Sequence, residues 1–239
     1  LGDALLQEPY EVFLGNGATA VFGQVVNTMR RNGLLQAGQK VIMIWPGYEP
    51  MKDLFSRQYQ CEIVPLRRHR ESDWAVDETD LAVLDDPQVR LVVAVSPGNP
   101  VDITLDPHLL DRLQHAAQDR PELVVLCDYV YANFMRQQFD NALLRMPRNV
   151  IPFYAPSKDF GLAGSRIGVA WIHSESPLNR LLHMMSPAAS VDFDSLYTTR
   201  RPQHRPSFYE RLVMDSSNVS FSHMAGLSTP NQILFTLCA

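Results

Sequence analysis

Six short apolar runs constrain this chain more than any other feature: residues 40–45 (KVIMIW), 61–66 (CEIVPL), 89–95 (VRLVVAV), 122–127 (ELVVLC), 149–154 (NVIPFY) and 166–172 (RIGVAWI). They do not alternate apolar with polar side chains. A strand with one wet face alternates, whereas a strand covered on both faces is apolar throughout. The segments between the runs carry helical period, so the sequence predicts an α/β fold, a mostly parallel sheet with helices on both faces.

Two helices can be read from their ends. Val21, Val25 and Met29 sit at i, i+4 and i+8, and Gly33 after Asn32 provides a left-handed stop. Asp106 followed by Pro107 is an N-cap with proline in the first turn, opening a helix through Leu109, Leu110, Leu113 and Ala117. The proline- and arginine-rich stretch 198–206 (TTRRPQHRP) divides the chain. Residues 1–197 are expected to form the major domain, 198–206 a linker or excursion, and 207–239 the end of that domain leading toward a further small one. The last residues stop inside an apolar helical pattern.

Composition narrows the function classes. A chain of 239 residues that is 46% hydrophobic and 20% charged can bury a substantial core. The net charge of -5 is spread along the chain, without the basic stripe of a nucleic-acid binder. The one basic cluster, Arg67, Arg68, His69 and Arg70, reads as a solvated turn. No run approaches the ~18 apolar residues of a membrane span. The start LGDALLQEPYEVF lacks the order of a signal peptide. Cys61, Cys127 and Cys238 are odd in number, far apart and without a CxxC, which fits a reducing cytoplasm. The seven histidines show no ligand spacing, so no metal centre is expected. Asn218, Val219 and Ser220 match a glycosylation sequon only by chance in a protein that is not secreted.

In a parallel α/β sheet, ligands bind beyond the carboxyl ends of the strands. After VVAV comes SPGNP with Asn99; after LVVLC come Asp128 and Tyr131; after VIPFY comes YAPSKDFGLAGSRIG, with Lys158 and then Arg166. Of 21 Lys+Arg only three are lysines, Lys40, Lys52 and Lys158, and the first two have ordinary surface explanations. Singly, each rim residue has an ordinary role as cap, turn or ion-pair partner. Together they are the groups that a pyridoxal phosphate site requires. A partly desolvated lysine, Lys158, can form a Schiff base with the aldehyde. A carboxylate, Asp128, can keep the pyridine nitrogen protonated. The amide of Asn99 and the hydroxyl of Tyr131 can donate to the phenolate oxygen. Arg166 and the helix head at Gly17, Ala18 and Thr19 can hold the phosphate, and Tyr48 can stack on the ring.

The strings GNGATA, SPGNP, CDYVY and YAPSKDFGLAGSRIG resemble, in order and spacing, the motifs of fold-type I pyridoxal-phosphate enzymes of the aspartate aminotransferase superfamily. Residues 145–151, 158–173 and 208–232 are similar to aspartate 4-decarboxylases. The resemblance implies a major domain with a mostly parallel, seven-stranded type of sheet, and pyridoxal 5'-phosphate carried on Lys158. It further implies an amino-acid substrate, aspartate or a relative, undergoing transamination or β-decarboxylation. A homodimer with the site at the subunit boundary is expected, and so are an N-terminal segment and a C-terminal small domain that supplies an arginine for the substrate carboxylate. Two departures stand out. Ala155 replaces a serine that contacts the phosphate in the family, and the loop Gly17, Ala18, Thr19 lacks the usual serine or second glycine.

Three other readings compete. Gly15, Gly17 and Ala20 satisfy the dinucleotide pattern GxGxxA, but the next strand offers no acidic residue where that motif needs one, and Lys158 and Asp128 stay unexplained. A non-catalytic scaffold of the same fold would account for Ala155 but not for the retention of all five rim residues. An aminotransferase of another specificity is the runner-up.

Overall fold

The structure, a computed structural model, describes residues 5, 8–185, 193–197, 205–217 and 233. Eight strands form one sheet: β1 (Tyr10–Gly15), β2 (Lys40–Trp45), β3 (Glu62–His69), β4 (Ala75–Val76), β5 (Leu91–Val95), β6 (Val124–Asp128), β7 (Val150–Tyr154) and β8 (Gly168–His173). Their spatial order is β1-β8-β7-β6-β5-β2-β3-β4. The pairings from β3 across to β7 are parallel, while β8 runs antiparallel to both β7 and β1, and β4 antiparallel to β3.

The apolar runs became strands because each is buried on both sides. Along β5, Leu91, Val93 and Val95 enter one core while Val92 and Ala94 enter the other. Along β2, Met43 faces the first core and Ile42 and Ile44 the second. The first core is covered by α1 (Ala18–Arg31), through Val21, Phe22, Val25 and Met29. The second is covered by α2 (Pro107–Asp119), through Leu109, Leu110 and Leu113. Both helix ends behave as read: Leu109 N–H donates to Asp106 Oδ1 at 2.9 Å, and Gly33 has φ 68°. Two further helices, α3 (Pro177–Met184) and α4 (Phe208–Ser217), add Leu178, Leu182, Phe208 and Leu212 to the first core.

Two strands escape a search for continuous apolar runs. In β1, Phe13 is buried while Val12 and Leu14 are 45% and 36% exposed, so this edge strand alternates. β4 is two residues long. The basic cluster is not a solvated turn. Arg67, Arg68 and His69 belong to β3, because β2 and β3 stay paired as far as Trp45 with Arg67, after which the chain returns as β4 with Val76 opposite Arg68. Arg68 is 6% exposed. At this far edge His69 Nε2 lies 2.6 Å from Asp80 Oδ2, with Asp77 beside them, a group of potential metal ligands that no ligand spacing in the sequence announced.

Most of the expected linker, residues 198–204, lies outside the described residues, as do the sequon at Asn218, Cys238, and most of the apolar pattern that ends the chain. Cys61 and Cys127 are buried free thiols. Among the described residues no helix is long and apolar enough to cross a membrane.

Candidate active site

The antiparallel placement of β8 builds the site. Its first residue, Gly168, pairs with Gly15, the last residue of β1, so the start of β8 and the end of β1 meet at the rim where β5, β6 and β7 finish. Loops following five strands therefore open at the same place, and the one after β7 leads directly into β8. Eight of the nine residues nominated from sequence, Ala18, Thr19, Tyr48, Asn99, Asp128, Tyr131, Lys158 and Arg166, line a single cavity of about 280 Å³. That is close to the ~300 Å³ lower bound usual for small-molecule sites. The ninth, Gly17, lies just behind: a Cβ on it would stand 2.4 Å from Arg166 Nη2.

Asp128 ends β6 at the cavity floor. Oδ1 accepts from Val130 N–H at 2.9 Å, and among the described residues no cation forms an ion pair with it. Burial, only partly offset by that hydrogen bond, raises its pKa from 3.8 to about 6. Tyr131 lies three residues on, and Asn99 Nδ2 donates to its hydroxyl at 3.1 Å, so two neutral donors from neighbouring strand ends share one spot. Tyr48 stands on the opposite lip, 38% exposed.

At the other end of the cavity, Gly17 caps α1 at φ 92°, and Gly168 packs against it so closely that a Cβ there would lie 2.3 Å from Ala18 N. Both positions require glycine. Arg166 occupies the left-handed region at φ 49°, and its Nη1 donates to Ala163 O at 3.2 Å. The fork of a guanidinium thus sits beside the free N–H groups of a 14-residue helix, two features that each attract an anion.

Lys158 differs from expectation: its side chain is exposed rather than partly desolvated. It lies at the cavity mouth, in the loop after β7, between this cavity and an adjoining hollow of about 580 Å³ that Asn99 and Tyr131 also line. Its loop is tied to that of β6 by a cluster the sequence did not reveal. Asn133 donates to Tyr154 Oη at 3.1 Å and to Asp159 Oδ2, and Tyr154 Oη donates to the same carboxylate oxygen. Ser157 also lines the cavity and was not nominated, although it is the hydroxyl nearest Lys158 in sequence. Ala155 is 2% exposed and puts a methyl group on the wall where a hydroxyl was expected. A larger hollow of about 800 Å³ opens at the opposite ends of the strands, beside Lys40, Arg90 and Glu122, and holds none of these groups.

The aminotransferase class I and II family matches residues 2–199. The chain belongs to that family. Over 244 aligned residues it is 34% identical to a bifunctional aspartate aminotransferase and L-aspartate beta-decarboxylase of a Pseudomonas species, covering all of this chain and 46% of that protein. An aromatic amino acid aminotransferase of a Mycobacterium species is 30% identical over 167 residues, 68% of this chain and 43% of that protein. The chain therefore spans about half the length of these relatives. Among solved structures, an aspartate aminotransferase double mutant of Thermus thermophilus superposes with a TM-score of 0.60 at 15% identity, covering 95% of this chain and 52% of that one. Cystalysin of Treponema denticola, whose crystals contain pyridoxal 5'-phosphate, superposes with a TM-score of 0.56 at 19% identity, covering 77% and 44%. The fold is accordingly that of the fold-type I aminotransferases. It extends the seven-stranded sheet expected from the family by the two-residue edge strand β4.

Proposed function

We propose that this chain is the cofactor-binding part of a pyridoxal-phosphate enzyme acting on aspartate or a related amino acid. The observation carrying this reading is that residues from separate loops, chosen for five different chemical demands of one cofactor, line one cavity of its size. When bound, pyridoxal phosphate supplies an electron sink for charge developing at the substrate's α-carbon.

The chain's own groups fit it. Lys158 Nζ would be the amine that carries the cofactor and the base that takes or returns a proton at the substrate's α-carbon. Among the described residues Asp128 has no cationic partner, and burial holds its pKa near 6; a pyridinium beside it would be a counter-charge and would favour its ionised form. Asn99 Nδ2 and the Tyr131 hydroxyl would supply donors to the phenolate oxygen, and Tyr48 would cover a ring face. The head of α1, Thr19, Ser157 and Arg166 receive the phosphate. Ala155 removes one donor from that set, at a cost of about 1 kcal/mol or more in affinity.

The Pseudomonas relative's two activities support aspartate chemistry with loss of the β-carboxylate. Transamination of another amino acid is the second reading, favoured by the mycobacterial relative. Exposed Phe134 and Phe160, at 59% and 66%, follow Tyr131 and Lys158 closely and support a homodimer that covers this rim; the free thiols Cys61 and Cys127 accord with a reducing cytoplasm. Light scattering of the purified protein measures that assembly directly.

Titration with pyridoxal phosphate is expected to produce an absorption band near the visible edge that borohydride abolishes and that Lys158→Ala never develops. A folded protein showing no such band sinks the proposal. Carbon dioxide released from aspartate without added keto acid separates decarboxylation from transamination.

A further inference from the structure

Arg68 is a costly charge in an unexpected place. It is 6% exposed, and its Nε and Nη1 have no hydrogen-bond partner among the described residues. Burial lowers its pKa, against a smaller raising effect of Asp106. A guanidinium buried with unused donors weakens a fold by more than an apolar side chain of similar volume would. Rule-breaking of this kind concentrates where function requires it.

Its surroundings indicate which function. Nη2 donates to Pro46 O at 3.3 Å, two residues before Tyr48. The same nitrogen stands 3.0 Å from where a Cβ on Gly98 would be, one residue before Asn99. Asp106, which caps α2 through Oδ1, lies near enough to offset part of that lowering but forms no ion pair with Arg68, and its buried Oδ2 has no partner among the described residues. Three rim segments, after β2, after β5 and at the head of α2, thus converge on one side chain that does not itself line the cavity.

We propose that Arg68 is a positioning residue that holds the Tyr48 loop against the Asn99 loop and so sets the width of the slot the cofactor ring enters. The proposal rests on the cofactor reading above and deepens it. Arg68 touches no reacting atom; it acts through the Pro46 carbonyl and the backbone at Gly98.

The test separates positioning from bulk stability. In a Trp74→Phe, Trp171→Phe background, Trp45 is the sole tryptophan and adjoins Pro46. In the cofactor-free protein, Arg68→Met is expected to make Trp45 more accessible to acrylamide while the melting temperature holds or rises, since a buried charge is gone. Pyridoxal phosphate affinity is expected to fall about tenfold, as for loss of one charge-assisted contact. Unchanged Trp45 quenching, unchanged affinity, or affinity falling only in step with a lowered melting temperature would each overturn the proposal. Should the methionine variant not fold, Arg68→Lys, which keeps the charge but loses the fork, is expected to show intermediate affinity at the wild-type melting temperature; wild-type affinity there overturns it. A parent protein that binds no cofactor removes the functional reading and this one together. A parent that binds it, with Arg68→Met binding equally well, removes only this one.

Discussion

Asp128 and Lys158 show how differently two site residues can be recorded in one sequence. Asp128 follows an apolar strand and must be buried by it, so both its place and its raised pKa follow from the run LVVLC. In the cofactor-free chain this has a sign that can be measured. The folded state keeps the proton up to about pH 6 while the ordinary value is 3.8, so stability falls as pH rises through that window and charging the group costs roughly 3 kcal/mol above it. Asp128→Asn should therefore raise the melting temperature of the cofactor-free protein at pH 7.5, with the difference vanishing below pH 4, while weakening cofactor binding and α-proton removal. Equal melting curves at pH 7.5 would count against the buried charge. Lys158 was recognisable by the scarcity of lysine, but not its exposure, which depends on what surrounds the cavity mouth. The cluster of Asn133, Tyr154 and Asp159 was illegible for a similar reason: its members are 21 and 26 positions apart and meet only because β6 and β7 are neighbours.

At the scale of elements, the parallel strands were legible because burial on both faces removes alternation, and the two helix ends because caps are local chemistry. Direction was not legible. Nothing in RIGVAWI says that β8 runs antiparallel, yet this reversal brings Arg166 to the rim and presses Gly168 against the head of α1. A Cβ at 168 would lie 2.2 Å from Gly17 C, against backbone that cannot swing away. Gly168→Ala is expected to cost about 2 kcal/mol or more in denaturant unfolding and to weaken phosphate binding, whereas Gly164→Ala, with open space around its Cβ, should do neither. The basic cluster at 67–70 misled because four consecutive basic side chains look like surface, while ladder pairing carried the first three into β3. Helix α4 is fixed to α1 by a buried polar network: Arg211, fully buried, donates to Asn32 Oδ1 at 2.6 Å and pairs with Asp194, and Asp215 accepts from Thr28 at 2.8 Å. Arg211→Met should destabilise the chain by about 3 kcal/mol, read as a lower urea midpoint, because its partners are left buried without it.

At the scale of the whole molecule, a sheet with two cores provides the rigidity and a single rim provides the chemistry. Strand ends along that rim present an amine, a carboxylate, neutral donors and a helix head with a guanidinium around one cavity, where residues nominated one by one from sequence come together. The chain also supplies its own control for the central claim, since its lysines number only three. Lys40 is bound to Asp86 at 2.7 Å, and Lys52 lies over the Trp45 ring at 5.0 Å, both away from the cavity lining. Borohydride reduction of the protein loaded with pyridoxal phosphate, followed by proteolysis and mass mapping, identifies the amine that carries the cofactor. The expected result is one phosphopyridoxyl group on the peptide containing Lys158; label spread over Lys40 and Lys52, or absent from Lys158, would contradict the account.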